Sequence, residues 1–174
     1  ATTGRTNVWE TNFVPDIETF TTFTWKERGA GGAHIKFELA DNTQVAHISE
    51  FPVGTYKKAH QHGPGAHVII IKGSGYSLLW PSHGSPTDGM ERVDWEVGSM
   101  VVPPNGWFHQ HFNGGITPAR YLAFRWGSQK YDFSLGVAME GETDVSVKLG
   151  GGQIEYEDED PVVHDIFEET LRKV

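Results

Sequence analysis

The sequence predicts an all-β domain, a sandwich or small barrel, followed by one short C-terminal helix. Three observations predict it. Between residues 33 and 126 the chain breaks into short runs rich in β-branched and aromatic residues, separated by Gly-, Pro- and Asn-containing turns. Many short strands with close turn signals favour a sandwich or barrel over a helical bundle. The 174 residues, 37% hydrophobic with 6 Trp, 10 Phe and 5 Tyr, suffice for one domain with a sizeable core.

Three parts are expected in order. Residues 1–33 form an N-terminal arm, in which aromatics mix with Thr and which ends in Gly29-Ala30-Gly31-Gly32. Residues 34–150 form the barrel. Its predicted strands are 34–39 and 43–51, joined by a hairpin at Asp41-Asn42, then 68–71 and 76–80 around Gly73-Ser74-Gly75. Runs 92–97, 100–102, 107–112 and 120–126 follow. Residues 151–174 hold an acidic segment and the helix. Glu155, Glu157, Asp158, Glu159 and Asp160 read as a solvated charge run. Asp160 is placed to cap a helix whose first residue is Pro161. Val162, Val163, Ile166, Phe167, Thr170 and Leu171 recur at helical spacing, an apolar face for packing on the barrel or on a second subunit.

Charge and composition exclude several functions. The formal net charge is -9, with 23 acidic against 14 basic side chains, the wrong balance for a nucleic-acid surface. The longest aliphatic run, 68–71, is far short of a membrane span, and no basic-then-apolar leader opens the sequence. There is no cysteine, which removes disulfides, thiolate metal sites and thiol nucleophiles and fits a reducing, cytoplasmic location.

The placement of the 9 histidines points to chemistry. His60 and His62 are two apart, as are His109 and His111, and alternate residues of an extended chain share a face. His67 opens an apolar strand on the face of Ile69 and Ile71. Five imidazoles could thus point into one barrel interior, and neutral imidazole is the commonest protein ligand for transition metals. A packed interior holding so many polar rings without partners costs on the order of 1–3 kcal/mol per unsatisfied group, and a metal supplies the partners. His34, His47, His83 and His164 stand alone and read as surface or hydrogen-bonded residues.

These residues resemble the two motifs of the cupin superfamily. The first motif is Gly, five residues, His-x-His, three or four residues, Glu, six residues, Gly. Here Gly54, His60, His62 and Gly73 occupy its frame, but the glutamate is missing: counting four residues after His62 gives His67 in its place, and counting back six from Gly73 gives Ala66. The second motif is Gly, five residues, Pro-x-Gly, two residues, His, three residues, Asn, which Gly98, Pro104, Gly106, His109 and Asn113 satisfy without a gap. The resemblance implies a double-stranded β-helix, the cupin or jelly-roll barrel, holding one divalent metal ion. It carries His60, His62 and His109 over as ligands. The fourth position falls to His67 or His111, with His67 favoured as the residue in the glutamate's place.

Without the carboxylate the ion keeps its full charge and favours an anionic or chelating small-molecule substrate. All-nitrogen ligation suits Fe(II), Zn, Ni or Cu better than Mg or Ca, and Mn is a further alternative. Cupins with histidine-only sites include dioxygenases. The leading expectation is therefore an Fe(II) dioxygenase of a small aromatic or β-dicarbonyl compound. The alternatives are a non-redox isomerase, decarboxylase or lyase, and a non-catalytic ligand-binding cupin. Tyr56, Arg125 and His111 are candidate catalytic residues. Tyr56, Tyr76, Trp80, Trp107 and Phe112 could wall the cavity or be ordinary core. Arg120 and Arg125 could clamp a carboxylate or make surface salt bridges. Gln110 is expected to point outward, and Lys57 and Lys58 to face solvent. Cupin barrels often pair, so a homodimer is expected.

Overall fold

The computed structural model describes residues 7–40, 43–63, 66–126 and 143–174. Among the described residues, ten strands and one α-helix follow in order: β1 Val8–Thr11, β2 Phe23–Thr24, β3 Ala33–Leu39, β4 Gln44–Phe51, β5 His67–Lys72, β6 Gly75–Trp80, β7 Glu91–Trp95, β8 Met100–Val101, β9 Phe108–Phe112, β10 Ala119–Trp126 and α1 Pro161–Leu171. They form two sheets. The larger runs β1-β3-β4-β10-β5-β8, with β2 also pairing β3; the smaller runs β7-β6-β9. Each strand of the barrel region matches a predicted run, and the mostly β architecture with a single C-terminal helix is the jelly-roll barrel expected. The β3–β4 pair is antiparallel; the turn expected at Asp41-Asn42 lies outside the described residues.

Period-two alternation explains how both sheets are buried on two sides. In the larger sheet, Phe51, Val68, Ile70, Ala119, Tyr121 and Ala123 face inward and pack with Trp95 and Val101. The alternate residues Ile35, Phe37, Ala46, Ile48 and Leu122 face outward, yet they are buried too, because Val14, Ile17 and Phe20 of the N-terminal arm lie over them. The arm is more structured than its sequence suggested. It contributes β1, parallel to β3, and is fastened by Arg120, whose guanidinium donates to Glu50, to the Ile17 carbonyl at 2.9 Å and to the Phe20 carbonyl.

The smaller sheet is covered by α1. Tyr76, Leu78, Trp80, Phe108 and Phe112 pack against Val163 and Phe167, each apolar side chain contributing roughly 1.5–3 kcal/mol. The helix starts where predicted: Asp160 accepts from the Val162 amide at 3.0 Å, with Pro161 at the first helical position. The acidic run departs from expectation. Glu155 pairs with Lys58, while Glu159 accepts from Tyr56 Oη at 2.9 Å and from Gln110 Nε2 at 2.6 Å. It is a polar staple between the barrel wall and the helix, a role that depends on partners about a hundred or fewer residues away and leaves no local signal.

Candidate metal centre

The first-motif histidines lie on an extended segment rather than a regular strand, and the second-motif histidine lies on β9. The backbone brings them together. His60 N donates to His109 O at 3.0 Å and His109 N to His60 O at 2.9 Å. Residues exchanging both hydrogen bonds stand directly opposite, and their side chains share a face. The two rings are 4.1 Å apart, and His62, two residues on, brings its ring to 4.6 Å from that of His109. On the other side, Gln61 N donates to Gly152 O and Ile154 N to Ala59 O, so the C-terminal segment braces the ligand-bearing chain.

The motif's smaller residues do structural work. Gly98 and Gly106 adopt φ of 89° and 73°, the left-handed region that side chains with a Cβ avoid; Gly106 ends the turn that delivers β9. Asn113 is fully buried. Its Nδ2 donates to the carbonyls of Pro52 at 3.0 Å and Thr117 at 2.9 Å, and its Oδ1 accepts from Gly115 N at 3.1 Å. It rivets the exit of β9 to the end of β4.

One potential ligand atom from each of His60, His62 and His109 lies within 4.8 Å of the others, and no other such group of three converges among the described residues. Two nitrogens bound at ~2.1 Å to one ion stand at most about 4.2 Å apart, so small ring rotations close the set. The protonation pattern fits an ion. His62 Nδ1 lies 2.8 Å from Gly63 O and His109 Nδ1 3.2 Å from Trp107 O. Carbonyls only accept, so both rings carry hydrogen on Nδ1 and present the Nε2 lone pair. His60 Nδ1 is buried with no hydrogen-bond partner, a polar atom in need of one. Burial, reinforced by Arg28 and the neighbouring rings, holds His60 and His109 well below the usual histidine range, and burial lowers His62 to about 4. The rings are thus neutral at physiological pH, the form that binds metal. Three imidazoles with no carboxylate suit a divalent transition metal.

The other candidates are placed differently. His67 opens β5 with an exposed side chain and is outside the three-histidine cluster. The parity explains this: Val68 and Ile70 face the barrel interior, so His67, Ile69 and Ile71 face out. Ala66, of the inward parity, is buried and offers only a methyl group. His111 is buried on the inner face, its ring 5.8 Å from that of His109, and burial followed by Lys57 lowers it to about 3. Arg125, the penultimate residue of β10, has the inner-face parity and contributes to lowering His62. Tyr56 lies on the opposite side of the wall, stacked on Phe112 at 4.9 Å beneath α1. Tyr76, Trp80 and Phe112 are likewise core under the helix. Gln110 points outward as expected, but into the staple rather than solvent.

Two interior residues escaped sequence reasoning. Lys57 is 1% exposed, not solvent-facing. Its Nζ donates to Ser49 and sits 5.1–5.5 Å from the rings of Tyr121, Phe51 and Trp25, and burial followed by Arg28 lowers its pKa to about 7. It lies three residues before His60, an odd separation that simple alternation assigns to the other face, so its burial left no local signal. Arg28 is 3% exposed, bound to Asp144 at 2.5 Å and to Gln153 Oε1 at 3.1 Å. With Trp25, His34, His47 and Arg125 it lines a cavity of about 390 Å³.

No family model and no curated protein matches the sequence. Solved structures do. The plu4264 protein from Photorhabdus luminescens superposes with a TM-score of 0.52 at 11% identity, covering 68% of this chain and 91% of that one. A cupin 2 conserved barrel domain protein from Rhodopseudomonas palustris gives 0.49 at 17% identity, covering 62% and 70%. Oxalate decarboxylase from Bacillus subtilis gives 0.47 at 18% identity, over 55% of this chain but only 26% of that one. At 11% identity the likeness to the Photorhabdus luminescens protein is one of fold alone. With the motif glycines in their turns, Asn113 as rivet and three motif histidines converging on the inner wall, the chain folds as a cupin-type β-barrel with a three-histidine cluster suited to a divalent metal.

Proposed function

We propose that the protein is a metal-dependent enzyme, an Fe(II) dioxygenase acting on a small aromatic or β-dicarbonyl compound that chelates through anionic oxygens. The observation that carries this reading is the convergence of His60, His62 and His109, with Nδ1 of two of them held at carbonyls so that Nε2 is the free donor, and no carboxylate among them. Non-haem iron oxygenases use three protein ligands, commonly two histidines and a carboxylate, that leave positions open; here a third imidazole would take the carboxylate's place, and iron(II) bound there would supply Lewis acidity and redox access to O₂. The chain's own residues do the rest. The neutral donor set leaves the ion's charge uncompensated, which favours anionic chelators. The charge of Arg125 and Arg28 adds to the same preference. The inner wall of Tyr121, Val68 and Val101 excludes water.

Anaerobic titration of metal-free protein with Fe(II), followed by oxygen-electrode assays with 1,3-diketones and dihydroxybenzoates, tests the reading. One iron per chain and substrate-dependent O₂ uptake support it. Metal-dependent turnover without O₂ uptake favours the non-redox isomerase, decarboxylase or lyase instead, and absence of tight metal binding overturns both.

A further inference from the structure

The interior histidines do not all present the same nitrogen. His62 and His109 carry hydrogen on Nδ1, as their carbonyl partners require. His111 Nδ1 instead meets Ser77 Oγ at 2.7 Å, and Ser77 Oγ accepts from Trp95 Nε1 at 3.1 Å. Indole only donates, so this serine oxygen is already an acceptor. Ser77 is fully buried, and its single hydroxyl hydrogen has His111 Nδ1 as its acceptor among the described residues. Were Nδ1 protonated, that hydrogen would be buried without a partner, an unfavourable arrangement. The Trp95–Ser77 chain therefore makes Nδ1 an acceptor and places the ring hydrogen on Nε2. Direct pairing of Ser77 with His111 across β6 and β9 holds the ring in place. With Nδ1 held against Ser77, the Nε2 edge is turned away from β6, into the interior shared with His109 and Tyr121, whose ring is 5.3 Å away.

A ring with hydrogen on Nε2 and its Nδ1 lone pair engaged has none left for an ion. We infer that His111 is not a fourth ligand but a fixed hydrogen-bond donor to whatever anion occupies the metal's open positions, so that the site selects ligands carrying an anionic oxygen beside the coordinating atom. The inference rests on the metal-centre reading above and adds a residue that discriminates among its ligands. Ser77 and Trp95 are positioning residues, acting through His111.

Two measurements test it. Long-range proton–nitrogen NMR correlation on the metal-free protein should find Nδ1–H rings at His62 and His109 and an Nε2–H ring at His111, with the His111 preference lost in Ser77→Ala. In Co(II)-loaded protein, titrated through the cobalt absorption bands, His111→Phe should keep one Co(II) per chain and bind acetohydroxamate about tenfold more weakly, the effect of one lost charge-assisted hydrogen bond. Ser77→Ala, which keeps the ring, should lose severalfold. An Nδ1–H ring at His111, loss of Co(II) in His111→Phe, or unchanged acetohydroxamate affinity in both variants overturns the inference while leaving the metal centre intact. Failure of the unmodified protein to bind Co(II) overturns the metal centre itself, whatever the NMR shows.

Discussion

His60 and His109 owe their meeting to a pair of backbone hydrogen bonds, and their consequences are sharpest at single side chains. Removing one of three ligands should cost more than the 10–100-fold typical of the groups that merely orient ligands. His60→Ala and His109→Ala should therefore each weaken metal binding by roughly 100-fold or more in a chelator-competition assay. His67→Ala should leave it nearly unchanged, because the His67 side chain is on the outer face; a large loss there would reinstate His67 as a ligand. Lys57 makes a different prediction. Its folded pKa, about 7, is below the ordinary lysine value of 10.5, so between these values the unfolded chain binds more protons and stability rises with pH. Below pH 7 the cost of the buried ammonium is fully present. Lys57→Met should raise the denaturation midpoint at pH 7 and abolish the Lys57-dependent rise towards pH 10; urea titrations at pH 7 and 9 check both.

At the level of elements, the C-terminal helix and the acidic stretch before it act as a cover for the smaller sheet. Phe167 and Val163 are almost fully buried against Tyr76, Leu78 and Phe112. Phe167→Ala should cost about 3–5 kcal/mol through lost burial and a residual cavity, and Asp160→Ala about 1 kcal/mol through the lost cap. Because residues 152–154 also brace the segment carrying His60, loosening this cover should affect metal affinity as well as stability. A calorimetric scan of both variants with and without metal would read the two effects separately. The N-terminal arm covers the other sheet in the same way, with Arg120 as its fastening; that task occupies the guanidinium considered in the sequence as a carboxylate clamp.

For the molecule as a whole, the interior combines an apolar wall with five buried imidazoles that stay uncharged at neutral pH. His47, His60, His62, His109 and His111 all have pKa values pushed down, chiefly by burial. Between their folded values and the ordinary 6.5, the unfolded chain binds more protons. The stability held above pH 6.5 is therefore lost as pH falls towards 4. Metal-free protein should show a melting temperature that drops steeply across that interval, and a saturating divalent metal should raise it at pH 7 through preferential binding to the folded state. A flat profile between pH 6.5 and 4 would contradict the buried, neutral histidines. Much of this was legible in the sequence: the strand runs, the capped helix from Pro161, and His60, His62 and His109 as a set, because turn residues, capping and motif spacing are local properties of the chain. What only the tertiary structure decided is which way the remaining polar side chains face and what they meet. His67 faces out because β5 is in register with Val68 and Ile70 inward; Lys57 is buried; Tyr56 lies beneath the helix; Glu159 and Arg120 act as fasteners; and the Ser77–Trp95 pair determines which nitrogen His111 presents. Each depends on strand parity or on partners distant in sequence, and pairing across the sheets, not local spacing, sets both.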